Sequence, residues 1–286
     1  MAPRSTTRTR ALARLSRRAW LPGGWGGAAT GLAWVLAILC VLLFALPLLA
    51  LVAHQSPGTV LSALLKPQVI AALRLSALTT TIATASAVVL GIPVAYLLAR
   101  RKLPLSGAIA TVLTLPTVLP PVVAGVALLV AFGRRGLLGQ YLLLAGISIP
   151  FTTLAVILAQ FFVAGPFFIS AARAAFENLD PAYEEAAMTL RATAIVRTLL
   201  VAIPLTAPQL VVGASLTWAR ALGEFGATIT FAGNLPGVTQ TLPITTYLTA
   251  QNDLDTAVAI SVVLLVVSGL LLATMPRLGG SLWRPR

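Results

Sequence analysis

Seven acidic residues, one histidine and one cysteine are the whole supply of carboxylate, imidazole and thiol side chains in this 286-residue chain. His54 and Cys40 each stand alone, which builds neither a metal centre nor a disulfide framework. A phosphate-cradling loop of the G-x-x-x-x-G-K-[ST] kind needs lysine directly after glycine. The only lysines are Lys66, after leucine, and Lys102, after arginine. The sequence therefore predicts no catalytic site, no cofactor and no metal, and any energy from ATP must come from a partner. Two charged constellations remain. Glu184 and Glu185 sit side by side in the longest polar-leaning island of the second half. Arg220 and Glu224 stand four apart in an apolar stretch, where they can pair on one helix face.

The first constellation belongs to Asp180 to Gln209, DPAYEEAAMTLRATAIVRTLLVAIPLTAPQ. Asp180 suits a helix N-cap and Pro181 the first helical position, where a missing N–H costs nothing. Glu184 and Glu185 then lie in the first turns, where the helix dipole favours negative charge. Tyr183, Ala186, Ala187 and Leu190 recur at helical spacing as one narrow, mostly small apolar face. A second short amphipathic run, 194–203, follows, and Pro204 and Pro208 are expected to break or kink what comes next.

The second constellation lies in WARALGEFGATITFAG, 218–233. A charge at bilayer depth costs about 2.5–3.5 kcal/mol on insertion scales, so this pair should face the bundle interior or water. Gly223 and Gly226 flank Glu224 and Phe225, and Thr228 and Thr230 add hydroxyls. Small residues, hydroxyls and one bulky aromatic ring suit a narrow gated path, though a capped helix end near the outer interface would use the same residues. A third feature, LPTVLPPVVAG at 115–125, holds Pro120 and Pro121. Prolines free carbonyls and loosen a helix, which membrane proteins tolerate where the helix faces protein or a water-filled path.

The elements that must position these residues follow from composition. The chain is 58% hydrophobic and 9% charged, with a mean hydropathy of +0.95. Apolar runs of about 20 residues, enough to cross a bilayer, recur along nearly its full length. They are continuous rather than alternating, which excludes a barrel and predicts an all-α, polytopic helical bundle. Six runs are expected: 28–53, 69–99, 105–132, one ending near Arg173, one beginning near Pro204, and 254–275. A transmembrane domain of 28–275 is thus flanked by basic tails at 1–27 and 276–286.

A net charge of +13 would suggest nucleic acid in a soluble protein. Here the arginines flank apolar runs, so they read as topology signals and contacts to anionic lipid rather than to nucleic acid. Fifteen of the twenty Lys and Arg fall in the two tails, the 100–102 turn and the 173–203 loop. The positive-inside rule then places both termini and that loop in the cytoplasm. GRRG at 133–136 falls on the outer side, against the rule.

Glu185-Ala186-Ala187, followed some fifteen residues on by Ile203-Pro204, resembles the EAA loop of ABC-importer permeases. The segments 115–139, 203–213 and 221–243 look like the permease subunit of molybdate ABC transporters, with sulfate permeases as near relatives, and the resemblance covers roughly residues 70–275. It implies a type I importer of the cell membrane. Two copies of the chain would line one path for molybdate, or alternatively sulfate or tungstate. Two cytoplasmic ATP-binding subunits would sit below and an extracytoplasmic binding protein above. It further implies that Glu185, Ala186 and Ala187, within the coupling segment Tyr183 to Arg191, meet the ATPase. Pro120, Pro121 and Gly223–Thr230 would belong to the path or its gate, with Glu224 neutralised by Arg220 or holding structure. The family usually has glycine where this chain has Arg191. Glycine there permits a left-handed turn that costs other residues about 1–2 kcal/mol, so the turn is expected to be built differently, or the first helix to run further.

Three other classes fit less well. A carrier driven by protons or sodium would carry acidic or histidine relays inside its spans and often shows repeated halves. A membrane-embedded enzyme would need clustered His, Asp, Glu or Cys. A passive scaffold would not co-purify with an ATPase.

Overall fold

The computed structural model describes residues 27–281. The expected basic N-terminal tail, except its last residue, and residues 282–286 of the expected C-terminal tail lie outside the described residues. The chain divides after His54 into two units. The first holds α1 (Gly27–Ala53), a 27-residue helix that carries Pro47 inside it. At 1.5 Å per residue it is about 40 Å long, and its apolar character all round suits lipid.

The second unit is a helical bundle. Its helices are α2 (Pro57–Leu64), α3 (Pro67–Ala99), α4 (Ser106–Thr114, extended by a 3-10 turn over Leu115–Thr117), α5 (Pro121–Phe132), α6 (Gly139–Leu144), α7 (Thr153–Glu177), α8 (Pro181–Thr189), α9 (Ala194–Leu222), α10 (Gly226–Ala232), α11 (Leu242–Ala250) and α12 (Leu254–Ser281). Caps explain several starts. The Ser56 hydroxyl accepts from Thr59 N at 3.2 Å before α2, and Pro57 and Pro67 occupy first turns, where the absent N–H is an orphan in any case.

Among the described residues five helices are long and apolar enough to cross a membrane, or six if one bent pair counts as a span. That pair is the expected third run, and it is sharply bent. Ser106–Thr117 and Pro121–Phe132 meet at 115°. Leu119 precedes Pro120 and Pro120 precedes Pro121, and a residue before proline is pushed out of the helical region. Pro120 sits at φ −54°, ψ 133° and Pro121 restarts the helix at its first position. Two consecutive prolines therefore break this run instead of loosening it.

Two further boundaries differ. The run expected to begin near Pro204 starts at Ala194, because Pro204 and Pro208 sit inside one continuous helix. A π segment over Thr198–Ala202 absorbs the missing proline donor, with Ile203 N bonding back to Thr198 O, and Thr206 Oγ1 donates to the Ala202 carbonyl at 2.7 Å. The last run continues as helix to Ser281, into the expected C-terminal tail.

Small residues let the helices approach. A Cβ on Gly91 of α3 would lie 2.9 Å from the Phe168 ring of α7, and one on Gly213 of α9 would lie 2.8 Å from Ala171 Cβ. Without a hydrophobic drive between helices in lipid, such close packing is a main source of association. Around these contacts Ala87, Ala95, Tyr96, Phe168, Ala172, Phe176 and Leu210 form one buried cluster. A second cluster joins α5, α7 and α10 through Ala124, Leu128, Ala155, Ala159, Ala227 and Phe231.

Gly125 is the tightest point of the α5–α10 contact, since a Cβ there would lie 2.6 Å from Thr230 Cβ and 2.9 Å from the Ala227 carbonyl. Gly125→Ala is expected to destabilise by about 1–3 kcal/mol, seen as a lowered melting temperature of the detergent-purified protein. Gly107→Ala, which meets nothing within 4 Å, serves as the control and should not lower it. Equal melting temperatures for the two would refute this packing.

Candidate functional site

The Asp180–Gln209 stretch opens with the short helix its caps predict. Asp180 Oδ1 accepts from Ala182 N at 2.9 Å and Pro181 opens α8. The two adjacent glutamates then part. Glu185 is exposed, whereas Glu184 is buried, at 8% relative exposure. Tyr96 Oη donates to Glu184 Oε2 at 2.7 Å, and Arg100 donates to Oε1 through Nε at 3.0 Å and through Nη2. Tyr96 lies in the last turn of α3 and Arg100 just beyond it, so the carboxylate fastens α8 to the foot of a 33-residue helix. The Tyr96 ring is in turn edge-on to Phe176 of α7, with centroids 5.5 Å apart.

The apolar face predicted for α8 points outward. Tyr183 and Leu190 are 55% and 83% exposed, Ala186 is exposed and Ala187 half-buried. Ile195 and Leu200 at the foot of α9 are exposed beside it in sequence.

Arg191 corrects the expected turn. It takes φ +59°, the left-handed conformation that glycine usually supplies. Arg191 N bonds to Met188 O at 2.9 Å and Ala192 N to Ala187 O at 3.1 Å. These are the two bonds of a Schellman ending, so α8 stops at Thr189 rather than running on. The hydrogen bonds of the ending, with a cation beside the helix C-terminus, offset the steric cost at Arg191. The same device closes α3: Arg101 has φ +49°, Arg101 N bonds to Leu98 O and Lys102 N to Leu97 O.

The second site gathers the proline and glycine features that lie about a hundred residues apart. A Cβ on Gly226 would lie 2.7 Å from Pro121 Cβ, so the break before α5 rests directly on the start of α10. Glu224, 1% exposed, joins the two sides of the break after α9. Its Oε2 pairs with Arg220 Nη1 at 2.8 Å, and its Oε1 accepts from Ala227 N at 2.9 Å. The Arg220–Glu224 pairing read from spacing is present, together with a helix-start cap that spacing alone did not specify. Gly223 is exposed at the end of α9, and Phe225 packs on Tyr247 of α11 with centroids 4.9 Å apart. Thr230 Oγ1 donates to the Gly226 carbonyl at 2.8 Å, while Thr228 is buried with no hydrogen-bond partner for its hydroxyl among the described residues. Pro120 is exposed beside the junction.

Sequence reasoning missed Tyr96, Arg100 and the inward turn of Glu184. Arg100 stood out only as a cation ending an apolar run, and no local spacing joins it to a carboxylate 84 residues away. Arg197, at the foot of α9, also bears on Glu184 electrostatically.

Broken and continuous apolar helices, several long enough to cross a bilayer, with a short capped helix between two of them, make this a multi-pass membrane protein. Residues 87–275 match the family described as binding-protein-dependent transport system inner membrane component, and the chain belongs to that family. It is 44% identical over 234 residues to the molybdenum transport system permease protein ModB of Mycobacterium tuberculosis, covering 82% of this chain and 89% of that protein. It is 35% identical over 262 residues to the sulfate transport system permease protein CysT of Salmonella typhimurium, covering 90% and 93%. In fold it matches a chain of a bacterial ABC transporter involved in alginate import, with a TM-score of 0.68, 17% identity, and coverage of 96% and 100%.

Two expectations follow for the docking helix. Burial alone would raise the Glu184 pKa, but the hydrogen bonds from Tyr96 and Arg100 and the charges of Arg100 and Arg197 outweigh it and hold it below the ordinary 4.5. A carboxylate with a lowered folded pKa stabilises above the unfolded value and loses that contribution as pH falls through the folded one. The melting-temperature gap between wild type and Glu184→Gln, expected to reflect about 1.5–3 kcal/mol, should therefore hold above pH 4.5 and shrink below it; a gap independent of pH would contradict the charge-assisted pairing. Arg191→Gly should stabilise the turn by about 1 kcal/mol, read in the same thermal measurement, and a destabilised variant would show that the arginine side chain contributes more than its backbone costs.

Proposed function

We propose that this chain is the membrane-spanning permease subunit of an ATP-binding cassette importer for molybdate. The observation that carries the reading is the 44% identity to a molybdenum permease over 82% of the chain, on a fold with an exposed EAA-like helix set between two long apolar helices. Two copies of the chain line one path, two ATP-binding subunits dock from the cytoplasm, and a binding protein delivers the oxyanion from outside. The chain hydrolyses nothing itself. Both termini lie in the cytoplasm of a bacterial-type cell membrane, and the flanking arginines contact anionic lipid.

Glu185, Ala186 and Ala187 meet the ATPase, with Tyr183 and Leu190 as apolar contacts. Their exposure supports this, since an apolar face turned to solvent on a short helix suits a partner's groove. ATP binding closes the ATPases, moves the docking helices, and turns the path from inward-open to outward-open. The Pro120–Pro121 and Gly223–Thr230 junction serves as path or gate, because irregular backbone at membrane depth is tolerated where it is covered by protein or lines a cavity. Glu224 holds this junction together with Arg220 rather than touching a dianion, which it would repel. The sulfate reading is second, supported by 35% identity to a sulfate permease over 90% of the chain.

The test is uptake of labelled molybdate by cells making this chain with its ATPase and binding protein. Excess tungstate should compete and excess sulfate should not, and Glu185→Lys should lower uptake at least tenfold. Equal competition by sulfate would move the chain to the sulfate reading. Uptake that follows an ion gradient instead of ATP would overturn the importer reading.

A further inference from the structure

We infer that Glu184 is a positioning residue that transmits movement of the docking helix to α3, and is not itself a contact to the ATPase. The inference rests on the importer reading and deepens it. Among the described residues, the bonds from Tyr96 and Arg100 to Glu184 are the only side-chain hydrogen bonds that leave α8 for another helix. They end on both oxygens of one buried carboxylate, so α8 is gripped at a single polar point instead of along a broad face.

Beyond that point the contacts are close and specific. Arg100 is fixed where α3 closes, between the last helical residue and the left-handed turn at Arg101. Tyr96 is 4% exposed and wedged edge-on against Phe176, so the same bond also reaches α7. From there the 33-residue α3 runs back up the bundle to Pro67. Near its other end Ser76 Oγ accepts from Leu242 N at 2.7 Å, on the first residue of α11, the helix that carries Tyr247 against Phe225 of the proline–glycine junction. A push on α8 thus has one polar route into a long helix whose far half touches the α11 support of that junction. A carboxylate serves this better than an apolar contact, because charge-assisted hydrogen bonds hold both distance and direction.

The neighbouring Glu185 has no such bonds and is exposed. The adjacent glutamates therefore divide the work: Glu185 faces the partner and Glu184 faces the bundle.

The experiment uses the complete complex of permease, ATPase and binding protein in liposomes, and measures both ATP hydrolysed and labelled molybdate taken up. Glu184→Gln should leave binding-protein-stimulated hydrolysis within about twofold of wild type while uptake falls at least tenfold, so that ATP spent per oxyanion rises. Tyr96→Phe, which removes one hydrogen bond and keeps the ring, should raise the same ratio by a smaller factor. The charge exchange Glu184→Arg with Arg100→Glu should recover part of the lost uptake. A parallel fall of hydrolysis and uptake would overturn the inference, because it marks failed docking. An unchanged ratio would overturn it too. If Glu184→Gln does not assemble, Tyr96→Phe decides by the same ratio. A wild-type complex that hydrolyses ATP but imports no oxyanion would overturn the importer reading and this inference with it.

Discussion

An unpaired peptide group in hydrocarbon costs several kcal/mol, so a chain that enters a bilayer must close its backbone bonds within itself. Nearly every element of this protein follows from that constraint. The long helices α3, α7 and α9 satisfy it directly. Three irregular places among the described residues are each compensated nearby. At the break before α5, Pro121 supplies a first helical residue that needs no partner. At the break after α9, a Glu224 oxygen takes up an amide of the next helix start. Ahead of Pro204, the chain widens into a π segment instead of leaving a gap. The first two irregularities touch each other at Pro121 and Gly226, so one small region absorbs both.

Buried charge is handled by the same economy. Glu184 and Glu224 are the two acidic residues with buried side chains among those described. Each is held by an arginine and by at least one further donor, so neither depends on a bare ion pair whose desolvation would offset its attraction. They differ in reach. Glu224 is bonded within seven residues of sequence and secures a local junction. Glu184 is bonded across 84 and 88 residues and secures one helix to another.

Arginine also stands where glycine is usual, at both left-handed helix endings that flank this carboxylate, Arg101 and Arg191. The conformational cost is modest against two backbone hydrogen bonds and a favourable helix-end charge. These endings fix where α3 and α8 stop.

Much of this was already legible in the residues. Continuous apolar runs without alternation specify helices in a membrane, because no other open structure closes its backbone bonds there. Asp180-Pro181 specifies a helix start, and Arg220 and Glu224 pair because four residues make one helical turn. These are short-range facts, determined by covalent neighbours. Tertiary structure decided the rest. It set the 115° fold at Leu119–Pro121, where tandem prolines allow a range of angles and packing against α10 chooses one. It kept α9 continuous through Pro204, since the bundle holds a π segment that an isolated proline helix would not. It also turned Glu184 inward and left Glu185 outside. On one helix those two residues are chemically alike, and only Tyr96 and Arg100, brought from another helix, make one of them the buried partner.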